Sequence, residues 1–234
     1  AVFQSGNTAV AVGIDTDYPF RETLAISVAP KAPARFPLVL RVPAWASGAT
    51  VRVAGGPETP MTPGALHRIE QTWEGTVRVD VRFPMTPAVI RGYNESVAIE
   101  RGPLVYALKV GEAWTRVNAD KPHRELPHGD FEVRATTPWN YAILVDARDP
   151  GQSVRFEERP IGERPFSPDG AGMAATVKGR KLATWKPKGG WAAEVSPADL
   201  AWTNRPPAPV EPVEDLTLIP YGCTNIRITE FPKG

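Results

Sequence analysis

The chain has 234 residues, 42% of them hydrophobic and 23% charged, an ordinary globular balance that suits one large domain or two of roughly 100–130 residues. Its 27 basic and 26 acidic residues divide as 10 and 9 up to Leu108 and 17 and 17 after it, so neither half has the basic excess that a nucleic-acid backbone demands. No apolar run approaches the roughly 18–20 residues of a membrane span, and the single cysteine excludes an internal disulfide.

Ala1 opens a polar segment unlike a secretory leader, and the missing initiator Met suggests a trimmed piece of something longer. In chain order, short runs rich in Val, Ile and Thr then follow: "TAVAVGI", "TLAISV", "PLVLRV" and "TVRV". Each is bounded by Pro, Gly, Asp or Asn, the residues of stiff turns. The clearest is "TVRVDVRF", where Val77, Val79, Val81 and Phe83 point one way and Arg78, Asp80 and Arg82 the other. The preceding "LHRIEQTW" is expected to pair with it as a hairpin around Glu74-Gly75. "ESVAIE" and "PLVYALKV" come next, then a polar loop over 109–130. "DFEVRA", "YAILVDA" and "AATVKG" continue the pattern. "SPADLAW" predicts one helical turn capped by Ser196, and "NRPPAPVEPV" an extended strap. "LTLIP" and "TNIRIT" are the last expected strands. No stretch sustains the i, i+3, i+4, i+7 pattern of a long helix. The expected fold is all-β: two antiparallel, jelly-roll-like β-sandwich domains in tandem, 1–108 and 109–234.

Chemistry is hard to find in this pattern. Glu157 and Glu158 are adjacent, so on a strand they face opposite ways. His67 falls within a strand beside Arg68. Asp120, His123, His128 and Asp130 share one loop and offer carboxylate and imidazole, but a polar loop has the same composition. Asp146 and Asp149 lie where a strand enters a turn. The glycine pairs lack the strand–loop–helix setting of a phosphate cradle. Among seven tryptophans, Trp45, Trp73 and Trp139 have apolar neighbours and are expected in the core. Trp114, Trp185, Trp191 and Trp202 have more polar surroundings and are the candidates for carbohydrate contact.

Several ordered strings together resemble one family. They are "TDYPF" (17–20 with Thr16), "FPLVLRVPAWA" (36–46), Trp73 to the "FPM" ending at Met85, "VAIERGPLVYAL" (97–108), "WNYAILVD" (139–146) and "LIPYGCTNIRITEFP". In this order they are similar to the non-catalytic β-sandwich region of glycoside hydrolase family 127, the β-L-arabinofuranosidase-like bacterial proteins. "RVPAW" and "ERGPLVYA" are the most specific parts; "WEGT" departs, since an acidic residue would be expected after the Gly.

The resemblance implies a parent enzyme with a helical barrel that carries a zinc-bound cysteine nucleophile and cleaves terminal arabinofuranosides, outside this chain. No catalytic motif of the family has a matching position here, so no residue is assigned a catalytic or metal-binding role, and no cofactor is expected in this chain. Cys223, in "PYGCTNIRIT", is read as a small packing residue of a strand near the chain end. The expected partner is the parent's helical barrel, with a homodimer and a plant-derived oligosaccharide as further partners, in a periplasmic or secreted bacterial setting. A stand-alone carbohydrate-binding module is the alternative.

Overall fold

The computed structural model describes residues 1–195 and 211–234. Almost all regular structure is antiparallel β, and the described residues contain no helix long and apolar enough to cross a membrane. The chain forms two compact units: Ala1–Thr86 with Arg101–Pro103, and Pro87–Glu100 with Leu104–Gly234. "VAIE" and the strand from Leu104 fall in the second unit, and the Arg101–Pro103 turn between them in the first.

The first unit holds β1 (Val2–Ser5), β2 (Thr8–Thr16), β3 (Thr23–Pro30), β4 (Ala34–Arg41), β5 (Thr50–Val53), β6 (Thr59–Pro60), β7 (Leu66–Trp73) and β8 (Val77–Arg82). Six of them make one sheet in the order β1-β2-β3-β8-β5-β6, and β4 pairs with β7 as a separate ribbon. Alternation explains the core. Val79 and Val81 of β8 meet Ile26 and Val28 of β3 and Val51 of β5 inside, while Phe36 and Trp73 enter from the ribbon. The Phe36 and Trp73 rings stack at 5.6 Å, and the Trp73 indole nitrogen donates to the Phe36 carbonyl at 2.8 Å. A buried indole N–H thus finds its partner on the strand beside it.

The expected hairpin between "LHRIEQTW" and "TVRVDVRF" does not form. β7 pairs with β4, whereas β8 pairs with β3 and β5. Both strands bury a face in the same core, from opposite layers. The link 74–76, with Gly75 at φ +61°, crosses between the layers instead of turning within one. Strand content was legible in the alternation; pairing was not, because a short Gly-containing link serves a hairpin and a layer crossing alike.

The second unit holds β9 (Pro87–Arg91), β10 (Val97–Arg101, all but its last residue), β11 (Leu104–Leu108), β12 (Glu112–Val117), β13 (Asp130–Ala135), β14 (Tyr141–Leu144), β15 (Val154–Glu158), β16 (Met173–Lys181), β17 (Pro187–Lys188), β18 (Trp191–Ala192) and β19 (Val213–Pro220). Its main sheet runs β14-β16-β19-β11-β10-β9, with β15 also on β16. Met173, Ala174 and Ala175 are buried in succession, so the centre of this sheet is covered on both faces. Tyr106 packs its ring edge-on to Phe156 at 5.1 Å. β12 and β13 form a ribbon of their own, as do β17 and β18.

"TNIRIT" is not a strand. A 3-10 turn, Tyr221–Cys223, follows β19, and the chain then runs irregularly to isolated bridges at Phe231 and Lys233. Hydrogen bonds to the Glu112 side chain take the place of a ladder there. The expected turn in "SPADLAW" lies outside the described residues.

Candidate functional site

On the first unit, the sheet's outer face carries a groove of about 580 Å³. Strand register builds it. Asp15, Ala25, Asp80 and Arg52 lie in one row across β2, β3, β8 and β5, and Thr23, Arg82 and Thr50 in the next. Small Ala and Thr side chains make the floor and charged ones the rim. The rim charges are largely matched. Arg52 Nη2 lies 2.8 Å from Glu58 Oε1, Arg78 Nε 2.7 Å from Asp80 Oδ1, and Arg82 Nη2 3.1 Å from Glu22 Oε2. Among the described residues that line the groove there is no histidine, cysteine or serine; it is lined by four carboxylates, Asp15, Asp17, Glu58 and Asp80, of which Glu58 and Asp80 are engaged by Arg52 and Arg78. Its chemistry is hydrogen bonding from a charge-balanced polar surface.

Glu22 ties the edge of this face to the segment that begins "RGP". Its carboxylate accepts from Arg82, from the Met85 amide at 3.0 Å and from Arg101 Nη2 at 3.3 Å. Gly102, at φ +59°, has no room for a side chain: a Cβ there would stand 2.6 Å from Met85 Cγ. The "ERGP" string thus has a structural reason within this unit. Arg101 reaches a part-buried carboxylate, and Gly102 supplies a left-handed turn against Met85.

In the second unit, Glu112 is the comparable hub. Oε1 accepts from the Asn225 amide at 2.7 Å, the Ile226 amide at 3.1 Å and the Thr224 hydroxyl at 2.9 Å. Oε2 accepts from Asn225 Nδ2 at 3.0 Å and Trp114 Nε1 at 3.1 Å. Partial burial pushes this carboxyl up, but the four donors on 224–226 outweigh it and hold it below the ordinary value. Trp114 is thereby fixed in orientation while 52% exposed, with its ring edge-on to Phe131 at 5.8 Å.

The other tryptophans expected to contact sugar are placed differently. Trp185 is 3% exposed; its indole nitrogen donates to Ala193 O at 2.8 Å and its ring abuts Trp139 at 5.0 Å, so it presents no stacking face. Trp191 opens β18 opposite Lys188. Trp202 lies outside the described residues. An aromatic cluster that the sequence did not single out sits at the 3-10 turn. Arg227 lies over the half-exposed Tyr221 ring at 4.5 Å, and Phe166 packs against Gly222.

The loop acids and histidines do not converge. Asp130 accepts from Asn118 at 3.0 Å and from Arg124 Nε at 2.7 Å; both bonds hold its carboxyl below the usual range. Asp146 takes the Arg148 amide in a local turn. Among the described residues, no group of three or more His, Cys, Asp and Glu side chains is placed to hold a metal ion. Cys223 is 1% exposed, points its sulfur at Pro165 O at 3.6 Å, and burial pushes its thiol up to about 11. Enclosed and held protonated, this thiol packs as a small semi-apolar side chain.

Residues 2–85 match the family model for the GH127 middle domain of β-L-arabinofuranosidases. No curated protein matches the chain. Three of the solved structures that share its fold are glycoside hydrolases. One is a GH127 β-L-arabinofuranosidase from Geobacillus stearothermophilus, at 20% identity and TM-score 0.61. The second is a glycoside hydrolase, at 20% and 0.59, and the third a GH127 β-arabinofuranosidase, at 19% and 0.60. Each match covers 100% of this chain but only 32%, 34% and 33% of the respective structure. The chain thus spans about a third of those proteins and has the fold of that third, and its first unit is similar in sequence to the GH127 middle domain.

Proposed function

We propose that the chain is the non-catalytic double-sandwich part of a GH127-like glycoside hydrolase. The match of residues 2–85 to the middle domain carries this reading. Its further support is the fold shared over the whole chain with about one third of a GH127 β-L-arabinofuranosidase. The parent enzyme would hydrolyse terminal arabinofuranosides in a helical barrel outside these residues. The accessory part would cover a face of that barrel and stiffen it. The test compares hydrolysis of an aryl β-L-arabinofuranoside by this chain alone and by the full encoded protein. Activity only in the latter is expected; turnover by the isolated chain would overturn the reading.

A second reading, a carbohydrate-binding module, rests on Trp114, whose ring is oriented by Glu112 and half open to solvent. Titration with plant-cell-wall oligosaccharides should then shift tryptophan fluorescence in the wild type and not in Trp114→Ala. No shift at millimolar ligand removes it.

A further inference from the structure

Side-chain size shapes the groove on the first unit. β3 turns the small Thr23 and Ala25 outward as its floor, and longer side chains rise on either side: Asp15 near the end of β2, Asp80 and Arg82 on β8. Asp15, Ala25 and Asp80 stand in register, so two carboxylates flank a methyl group, on strands two spacings or roughly 10 Å apart. Thr23 and Arg82 make the next row, about 7 Å further along the strands, and Thr50 extends it on β5. The trough of about 580 Å³ falls within the roughly 300–1,000 Å³ of small-ligand sites.

Its walls are placed to exchange hydrogen bonds. Arg52 holds Glu58, and Arg78 holds Asp80, through one nitrogen and one oxygen each, so both carboxylates keep a second oxygen for another donor. Glu22 fixes Arg82 with two bonds to a single oxygen. Asp15 and Asp17 are exposed and, among the described residues, make no side-chain bond of their own. The hydroxyls of Thr23 and Thr50 can each donate and accept.

The lining selects a ligand by its chemistry. Four arginines balance the four carboxylates, so the trough has no net charge to draw a phosphate chain or another polyanion. It has no aromatic side chain to anchor a protein partner, and its larger apolar residues, Leu24 and Val81, face the core instead of forming a patch for a lipid. An uncharged ligand dense in hydroxyl groups fits, because each hydroxyl can donate to a carboxylate and accept from a guanidinium or a threonine. We infer that this trough binds a neutral oligosaccharide, whose hydroxyls donate to Asp15 and Asp80 on opposite walls while a ring lies over Ala25. The site uses no residue of the second unit and does not rest on the accessory role proposed above. Hydrogen bonds that only replace those of water, with no aromatic face to stack on, set the expected Kd at about millimolar.

Amide chemical shifts of the isotope-labelled 234-residue chain test it, with arabinotriose and cellotriose as neutral probes, a galacturonic acid trimer as the anionic probe and spermidine as the cationic one. A neutral trisaccharide should shift the amides of Thr23, Ala25, Thr50 and Asp80. Ala25→Leu, which fills the floor from the solvent side of the sheet, should weaken binding by about tenfold or more. So should Asp15→Asn, at an exposed position that holds no partner, and unchanged shifts elsewhere verify the fold of each variant. No response to either neutral sugar up to about 20 mM overturns the proposal. So does binding indifferent to both substitutions, or a response confined to Trp114 and its neighbours. A response to spermidine or to the acidic trimer that equals or exceeds that to the neutral sugars also overturns it, since the trough would then be reading charge.

Discussion

Glu22 gives the sharpest test of what holds the first unit together. Its carboxylate serves four donors from three places: Arg82 Nε and Nη2, the Met85 amide and Arg101 Nη2. Glu22→Ala strips them at once. The Arg82 pair is largely exposed, with the guanidinium side chain 60% accessible, and contributes under about 1 kcal/mol. Arg101 differs: it is 13% exposed against a Glu22 that is 24% exposed. Removing one partner of a buried pair costs about 3–5 kcal/mol; residual solvent screening lowers the expected loss here to about 2–3 kcal/mol. Replacing both partners by Glu22→Ala with Arg101→Met should recover about 1–2 kcal/mol, since no charge is then left in a partly dry site. Urea denaturation measures the totals, and amide hydrogen exchange at Met85 reports the local bond. A Glu22→Ala loss below about 0.5 kcal/mol, with Met85 exchange unchanged, would refute the clasp.

Three further outcomes follow from the same geometry. Gly102→Ala combines a left-handed backbone with a Cβ 2.6 Å from Cγ of the buried Met85; a loss of about 2–4 kcal/mol in urea denaturation is expected, and none for Gly55→Ala beyond the backbone strain, as Gly55 meets nothing. The Glu112 carboxyl is held below its unfolded value, so the stability it lends is present above the unfolded value and lost as pH falls through the folded one. Exchange of the Asn225 and Ile226 amides should accordingly speed up on acidification in the wild type, and be raised already at neutral pH in Glu112→Ala. Cys223, with its thiol near 11, should react with a disulfide reagent about a hundredfold more slowly in the folded chain than in urea; equal rates would place the sulfur at the surface.

Much of the fold was legible because alternation is a direct imprint of a half-buried sheet. Val77, Val79 and Val81 face inward and Arg78, Asp80 and Arg82 outward, as their spacing requires. Pairing partners were less legible. Trp73 ends a strand whose mate begins at Ala34, 39 residues earlier in the chain, and nothing near Glu74-Gly75 records that. "TNIRIT" failed for a related reason. Its Ile and Thr content is that of a strand, but Thr224, Asn225 and Ile226 are hydrogen-bonded to one distant carboxylate in place of a neighbouring strand.

The same distance in sequence explains what was hidden at the candidate sites. Glu22 and Arg101 are 79 residues apart, and Glu112 and Asn225 are 113 apart. In each case one carboxylate gathers several donors, which is visible only once the chain is folded. Composition marked Trp114 and Trp185 alike as tryptophans in polar company, yet one is held open to solvent by Glu112 and the other is enclosed against Trp139. The two hubs also share a consequence. Each uses a single acid to fix a segment that would otherwise be loose: residues 101–103 in the first unit, and 224–226 with the base of the ribbon in the second. The accessory role proposed above would need such fixed points more than a pocket. Weakening Glu22 or Glu112 in the full encoded protein should therefore lower its thermal tolerance before it alters turnover at low temperature. A fall in turnover with the melting temperature unchanged would instead place these residues in the machinery of the reaction.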